Sequence, residues 1–239
     1  MNCNQFNERA KGEKNMKCKL CGEQFEPMGA SYGGVEITQE YCGSECADRA
    51  YRAYKRQVRI DEYHERRLTC VQDGLLPPSF LDHATPKPQQ SYGLKKAIAS
   101  KASVWISGQT GRGKSYLARL VLQYHMFEGR RCAFETASNL FNNAKRHEHL
   151  QYTPVLCIDD IDKAAYGAYS ASLLHDCLTL RENNRLRTIV TCEYDVKHFA
   201  ARLSESSSGA FGQSTLSRLD ALGKRLDIVV EGDNLRLST

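Results

Sequence analysis

An eight-residue loop constrains this chain more than any other feature. Residues 108–115 read Gly-Gln-Thr-Gly-Arg-Gly-Lys-Ser and fit the G-x-x-x-x-G-K-S pattern at every required position. Glycines let the main chain curl, so that several backbone N–H groups can point at one anion. An apolar stretch at residues 102–106 predicts a strand before the loop, and residues 116–122 predict a helix after it. This context favours a nucleoside triphosphate site over an ordinary glycine-rich turn.

Two acidic residues follow an apolar strand further along the chain. Asp159 and Asp160 come directly after residues 154–158. In a parallel α/β sheet the carboxyl ends of the strands meet at one edge, which would place both acids beside the loop. Asp159 is then predicted to hold Mg²⁺ through water and Asp160 to orient or deprotonate the attacking water. The alternative is a helix N-cap, which also favours aspartate.

The nucleotide site predicted from these patterns combines backbone donors, one cation and two metal ligands. Lys114 is expected to reach the β- and γ-phosphates, and the Ser115 hydroxyl is expected on Mg²⁺ together with Asp159. The helix that starts at the loop adds its positive N-terminal dipole. The predicted nucleotide-binding residues are Gly108, Gln109, Thr110, Gly111, Arg112, Gly113, Lys114, Ser115 and Asp159.

The ten cysteines fall into two groups. Two close pairs, Cys18 with Cys21 and Cys42 with Cys46, have the spacing of a four-thiolate site for one structural Zn²⁺, with free thiols as the alternative. A second group lies in or beside apolar runs, which predicts buried side chains without chemistry; its members are Cys132, Cys157, Cys177 and Cys192. No role is assigned to Cys3 and Cys70.

Composition sets the broad class. The chain has 239 residues, of which 41% are hydrophobic and 26% charged, as in ordinary globular proteins. No run of about 18 apolar residues occurs, and the first residues lack the apolar core of a secretory signal. We therefore expect a cytoplasmic protein without a membrane partner. The net charge of +5 is compatible with nucleic acid binding but does not require it.

Downstream of residue 91 the sequence alternates helix and strand, as a parallel sheet flanked by helices requires. Strands are predicted near Val104 and at residues 131–135, 154–158, 187–191 and 227–230. Helices are predicted at residues 94–100, from Lys114 onward, and at 137–149, 169–183, 196–203 and 215–222. The fold class is therefore α/β.

A charged helix is predicted at residues 47–68, between the cysteine pairs and the α/β region. Its residues 51–60 interleave tyrosines with lysine and arginines, which suits a phosphate backbone or single-stranded bases. The alternative is a solvated helix whose tyrosines rest on a neighbouring domain, since Asp61, Glu62 and Glu65 dilute the charge. Residues 74–80 then predict a linker, because their two prolines prevent the helix from continuing.

From residue 75 onward the chain resembles AAA+ ATPases of the DnaC/DnaI/IstB type, which are helicase loaders and transposition helper ATPases. The resemblance rests on the loop, on Ile158-Asp159-Asp160-Ile161, and on further segments at residues 76–80, 189–191, 216–219 and 232–236. It implies a P-loop NTPase (AAA+) sheet flanked by helices, with ATP, Mg²⁺ and Zn²⁺ as ligands. The implied domains are a tail at 1–17, a four-cysteine zinc module at 18–47, a helix and linker at 48–90, and the ATPase domain at 91–239.

The resemblance also implies roles for single residues. Arg218 matches the arginine that reaches the γ-phosphate of a neighbouring subunit, with a surface arginine as the alternative. The family's fourth strand usually ends Thr-Ser-Asn, whereas this chain has Thr191-Cys192-Glu193, so Thr191 is the candidate γ-phosphate sensor. The helical lid with a second sensor arginine is expected to be absent or minimal, with Arg236 as a candidate substitute. The implied catalytic residues are Lys114, Asp160, Thr191 and Arg218.

The implied function is a weak, Mg²⁺-dependent ATPase of DNA replication. Its expected partners are the replicative helicase, single-stranded DNA and further copies of the chain, with Arg218 acting in trans. Two alternatives remain open. One is a transposition helper that acts on duplex DNA, and the other is a zinc adaptor whose ATPase domain is a slow nucleotide switch.

Overall fold

A computed structural model describes residues 16–27, 30–32, 35–37, 39–82, 84–100, 102–206, 215, 217–218 and 226–231. The chain divides into two compact units, residues 1–61 and 62–239. Each unit is described by itself.

The described part of the first unit contains two short antiparallel hairpins. Strands β1 (Met16–Lys17) and β2 (Gln24–Phe25) pair with Met16 opposite Phe25. Strands β3 (Ala30–Tyr32) and β4 (Val35–Ile37) form the second pair. Hairpins this short have almost no core of their own. The unit therefore needs another source of stability.

Helix α1 (Ser44–Gln72) is longer at both ends than the predicted helix at residues 47–68. Its first turn starts inside the second cysteine pair, and it ends where Gly74 adopts a left-handed φ of +67°. Gly74 donates its N–H to the Val71 carbonyl and so closes the last turn. Residues 62–72 of this helix belong to the second unit.

The second unit is a five-stranded parallel sheet flanked by helices, as the α/β prediction requires. Its strands are β5 (Val104–Ser107), β6 (Cys132–Thr136), β7 (Val155–Asp159), β8 (Arg187–Cys192) and β9 (Leu226–Val229). Its remaining helices are α2 (Pro88–Ala99), α3 (Lys114–Phe127), α4 (Ala137–Asn142), α5 (Ala144–Leu150), α6 (Ala168–Asn183) and α7 (Val196–Ser206).

The strand order in the sheet is β6-β7-β8-β5-β9, with all pairs parallel. Strands β5, β7 and β8 are buried along their whole length, because helices cover both faces of the sheet. Strand β8 lies between the strand that precedes the glycine-rich loop and the strand that precedes the two aspartates. The carboxyl ends of all three strands therefore face the same crevice.

The segment at residues 75–80, predicted to be a linker, forms part of the core of the second unit. The side chains of Leu75, Leu76 and Phe80 are at most 3% exposed. The Leu75 carbonyl accepts a hydrogen bond from the Phe134 N–H at 2.9 Å. Helix α1 ends before the prolines, at Gln72, and the apolar side chains on either side of the two prolines are stabilised by burial, which a solvated linker would not provide.

The predicted helix at residues 137–149 is two helices. Asn143 has extended backbone angles and its side chain accepts the Arg146 N–H at 3.1 Å, so it ends α4 and caps α5. Asparagine competes with the helical backbone for hydrogen bonds, which explains the break. Of the predicted helix at residues 215–222, only residues 215 and 217–218 are described, and all three are helical.

Candidate functional site

The glycine-rich loop connects β5 to α3 at the carboxyl edge of the sheet. Gly108 has a φ of +143°, and a Cβ at this position would lie 2.5 Å from the Val230 carbonyl oxygen. Only glycine fits so close to another main chain. Gly111 and Gly113 also have positive φ values, and Gly113 is the N-cap of α3. These three glycines let the loop curl at the start of that helix, where anions are favoured.

Lys114 is the buried cation of this loop. Its side chain is held near the loop's main chain, because Nζ donates to the Gln109 carbonyl at 3.1 Å. Arg112 donates to the Gln109 side chain at 3.0 Å, at the exposed rim. A buried ammonium beside the N–H groups of a glycine-rich loop is suited to bind a phosphate chain.

A buried glutamine that the sequence did not point to supports the loop. Gln90 on α2 is fully buried, and its Nε2 donates to the Gly113 carbonyl at 3.1 Å. Its Oε1 accepts the Lys87 N–H at 3.2 Å. Because Gln90 lies 23 residues from Gly113, only tertiary structure reveals the contact.

A cavity of about 420 Å³ opens above the loop. It is large enough for a nucleotide, by the usual size of ligand pockets. Its lining residues are Lys87, Thr110, Gly111, Gly113, Lys114, Ser115, Tyr116, Asp160 and Lys163. The structure thus brings the loop and one of the two predicted acids to one cavity.

The two aspartates are joined through Thr191 at the end of β8. The Thr191 hydroxyl donates to Asp159 Oδ1 at 2.6 Å and accepts the Asp160 N–H at 2.8 Å. All three belong to adjacent strands or follow them directly, so the sheet itself sets this geometry. Thr191 was predicted as a γ-phosphate sensor, and this stays a prediction; its hydroxyl contacts both acids.

Asp160 has the features of a tuned acid or base. Its backbone is left-handed, with φ +50°, which is uncommon for a residue with a side chain and directs the carboxyl into the cavity. Burial raises the pKa of Asp160, and the negative charge of Asp159 raises it further. Lys114 opposes this shift. A carboxyl with a raised pKa is a better proton acceptor near neutral pH than an exposed one.

Two charged residues that were not among the predicted site residues lie at the rim of the loop. Glu193 follows β8; one carboxylate oxygen accepts the Thr110 hydroxyl and the other pairs with Lys163 Nζ at 2.9 Å. These donors lower the pKa of Glu193. The signal in the sequence was the departure from Thr-Ser-Asn, which put an acid where the resemblance implies an amide.

Arg218 lies apart from this cavity in the described chain. Its Nη1 is 3.1 Å from Glu182 Oε2 on α6, and its side chain is 39% exposed. This position leaves its predicted action on a neighbouring subunit as a proposal. Arg236 lies outside the described residues.

The four predicted zinc ligands come together in the first unit. The sulfur atoms of Cys18, Cys21, Cys42 and Cys46 all lie within 4.8 Å of one another. The Sγ atoms of Cys21 and Cys42 are 3.6 Å apart, and those of Cys42 and Cys46 are 3.5 Å apart. Tetrahedral zinc with Zn–S bonds of about 2.3 Å places its sulfurs about 3.8 Å apart. The donor set and its spacing therefore fit one zinc ion.

The Cys18 thiol is shifted toward its ionised form. A hydrogen bond from the Cys21 backbone lowers the pKa of Cys18 to about 6. A thiolate is the form that binds metal.

The apolar group of cysteines is fully buried, as predicted; it comprises Cys132, Cys157, Cys177 and Cys192. Cys70 is buried as well.

A parallel sheet with a glycine-rich loop after one strand and acids after another defines the class of P-loop nucleotide-binding folds. Solved structures place the fold more closely. The crystal structure of DnaI has a TM-score of 0.55 and 17% identity, over 69% of this chain and 99% of that chain. A protein from Streptococcus pyogenes serotype M3, described as a primosome component, has a TM-score of 0.55 and 18% identity, over 72% and 97%.

The structure of the DnaC helicase loader has a TM-score of 0.49 and 20% identity, over 62% of this chain and 93% of that chain. The sequence matches no protein-family model and no curated protein. The likeness to DnaI confirms the predicted fold: the second unit has a five-stranded parallel sheet flanked by helices, as in the DnaI structure. Within the described residues, no helix combines the length and the apolar composition needed to span a membrane.

Proposed function

We propose that this chain is an ATPase of DNA replication that works in the manner of a helicase loader. The observation that carries the proposal is the meeting of the glycine-rich loop with Asp159 and Asp160 at one sheet edge, joined by Thr191. The fold of DnaI, and of a protein described as a primosome component, supports the replication part.

The nucleotide would lie on the loop, with the backbone N–H groups and Lys114 on its phosphates. Ser115 and Asp159 would hold Mg²⁺, which neutralises phosphate charge. Thr191 orients the Asp159 carboxylate by donating to its Oδ1. Asp160, with its raised pKa and fixed backbone, would orient the attacking water and accept its proton.

The rate of phosphate release distinguishes an ATPase from a slow nucleotide switch. We expect Asp160→Asn to lower kcat at least about 100-fold, the usual size of a lost general base, with nucleotide affinity within about twofold. Asp176→Asn, at an exposed position on α6, is the matched control and should retain full turnover. Equal turnover in the wild type and Asp160→Asn would overturn the catalytic assignment and favour the switch.

The arginine predicted to act in trans completes this proposal. Arg218 is more than one third exposed and lies on a helical segment, so a neighbouring copy can reach it. An arginine supplied across a subunit junction stabilises the charge of the transferred phosphoryl group. Turnover per subunit would therefore rise with protein concentration as copies associate.

Single-stranded DNA is the proposed nucleic acid partner, and helix α1 carries the surface. Arg52, Lys55, Arg56 and Arg59 recur at spacings of three and four residues and so share one face of the helix. Tyr51 borders that face, with Lys55 Nζ 4.6 Å from its ring centre, whereas Tyr54 lies on the other side of the helix. Tyr51 is 55% exposed, which supports base stacking over burial against a domain.

Fluorescence anisotropy with a labelled oligo-dT and a matched duplex tests this surface. The double variant Arg52→Glu/Arg56→Glu should weaken single-strand binding at least about tenfold and flatten its salt dependence. Gln57→Ala, an exposed change on the opposite face, should bind as the wild type does. Unchanged affinity in the double variant would refute the surface, and tighter binding to the duplex would favour the transposition helper.

We further propose that the four-cysteine cluster holds one structural Zn²⁺. The short hairpins of the first unit have little core, and a metal would supply the missing stability. Stoichiometric zinc by mass spectrometry, lost together with folded structure on chelation, is the expected result. Cys42→Ser should reproduce that loss, and zinc-free protein of unchanged thermal stability would contradict the proposal.

The replicative helicase is the proposed protein partner. The support is the shared fold with DnaI and with a primosome component. Co-purification of the chain with the helicase of its host, dependent on ATP, is the expected result. Failure to bind in every nucleotide state would remove the loader function while leaving the ATPase intact.

A further inference from the structure

The Glu193–Lys163 pair lies beside the glycine-rich loop and the cavity above it. Glu193 accepts a hydrogen bond from Thr110, a residue of the phosphate-binding loop, and Lys163 lines the same cavity as Lys114 and Asp160. The Lys163 side chain is 49% exposed and that of Glu193 is 23% exposed, so neither is enclosed in the core. This pair has no part in the catalytic proposal above.

Charge makes Glu193 and a γ-phosphate competitors. The Thr110 and Lys163 donors hold Glu193 in its ionised form, since they lower the pKa of its carboxyl. A γ-phosphate on the loop brings further negative charge close to this carboxylate, and like charges at short range repel. A nucleoside diphosphate lacks the γ-phosphate, so its negative charge lies further from the Glu193 carboxylate and is repelled less.

Lys163 is the cation that can pair either with Glu193 or with a γ-phosphate. Its ammonium pairs with Glu193 at 2.9 Å and with Asp162 at 3.4 Å. Asp162 is also anchored, because its side chain is 2% exposed and accepts the Glu193 N–H at 3.2 Å. A phosphate oxygen can take the place of Glu193 on Lys163 while Asp162 keeps the lysine at the cavity.

We propose that Glu193 and Lys163 set the discrimination between nucleoside triphosphate and diphosphate. Glu193 disfavours the γ-phosphate, and Lys163 passes from Glu193 to that phosphate when a triphosphate binds. The inference rests on the proposed nucleotide site and adds a specificity device to it. It also gives a physical reason for an acid in the position where the resemblance implies a neutral amide.

Calorimetry with AMP-PNP and ADP, both with Mg²⁺, tests the pair. Glu193→Gln keeps the shape of the side chain and an acceptor for Thr110 but removes the charge. It should tighten AMP-PNP binding about tenfold, equivalent to 1.4 kcal/mol, and leave ADP within about twofold. Lys163→Met should weaken AMP-PNP by a similar factor with little effect on ADP. Glu148→Gln, at an exposed position on α5, is the charge-matched control and should change neither.

The ratio of the dissociation constant for AMP-PNP to that for ADP is the decisive measurement. A pair that only holds the loops together would shift both nucleotides equally, and that result would overturn the inference. An unchanged ratio in both variants would also overturn the inference, if thermal unfolding shows that each variant is folded. Wild-type protein that binds neither nucleotide would overturn the proposed function as well, which keeps the two failures distinguishable.

Discussion

Thr191 is the residue on which the arrangement of the two acids depends, and Thr191→Val tests it. Valine keeps the shape of threonine but removes the hydroxyl that donates to Asp159 and accepts from the Asp160 N–H. Hydrogen bonds to charged groups contribute about 1.5–3 kcal/mol, and an unsatisfied buried N–H costs about 1–3 kcal/mol. Asp159 is 7% exposed, so water cannot fully replace the lost donor. We expect a loss of about 3 kcal/mol in the free energy of unfolding.

Urea unfolding followed by tryptophan fluorescence measures this loss. The single tryptophan, Trp105, is 1% exposed on β5 and therefore reports on the core of the second unit. The same variant should lose about 10- to 100-fold in Mg²⁺ affinity, as expected when a residue that orients a metal ligand is removed. Thr191→Ser retains the hydroxyl and should lose at most about 1 kcal/mol. A Thr191→Val protein with wild-type stability and Mg²⁺ affinity would refute the reasoning.

Three further predictions follow from single contacts. Gly108→Ala should cost about 2–4 kcal/mol in urea unfolding, because its Cβ would lie 2.5 Å from the Val230 carbonyl oxygen and its φ is positive. Arg218→Ala should lower turnover about 1,000-fold at unchanged nucleotide affinity, as measured by phosphate release and calorimetry. Burial lowers the pKa of His125 from 6.5 to about 3, so the unfolded chain takes up a proton first as pH falls. His125 should therefore lower stability below pH 6.5 by up to about 1.4 kcal/mol per pH unit, and His125→Leu should reduce this slope while exposed His149→Leu retains it. Burial also lowers the pKa of His147, which keeps part of the slope in the His125→Leu protein.

Each of these predictions has a contradicting result. A Gly108→Ala protein of wild-type stability would mean that residue 108 and the Val230 carbonyl can move apart at little cost in free energy. An Arg218→Ala protein with full turnover at high concentration would exclude an arginine supplied in trans. A wild-type pH profile in the His125→Leu protein would assign the acid sensitivity to other groups.

The elements of the site could be predicted because each carries a local signal. The loop has a fixed spacing of glycines, lysine and serine, and the two aspartates follow an apolar strand directly. The burial of the sheet strands follows from their apolar runs. The four-cysteine cluster was predictable for the same reason, because two close pairs limit the geometries available to a tetrahedral ion.

Contacts between distant residues carried no such signal. Gln90 supports Gly113, Thr191 joins Asp159 to Asp160, and the Glu193–Lys163 pair depends on how two loops meet. The break at Asn143 was missed because one side-chain cap outweighed a continuous helical pattern. Residues 75–80 were read as a linker because prolines signal turns, while the burial of Leu75 and Phe80 is a tertiary effect.

Nucleotide titration of the 239-residue chain tests the central claim most directly. Calorimetry with Mg²⁺ and an ATP analogue should show one site per chain for the wild type. Lys114→Ala should lower the affinity at least about 100-fold, because the buried ammonium of the loop is removed. Undiminished binding by the Lys114→Ala protein, or no heat from folded wild-type protein, would contradict the account.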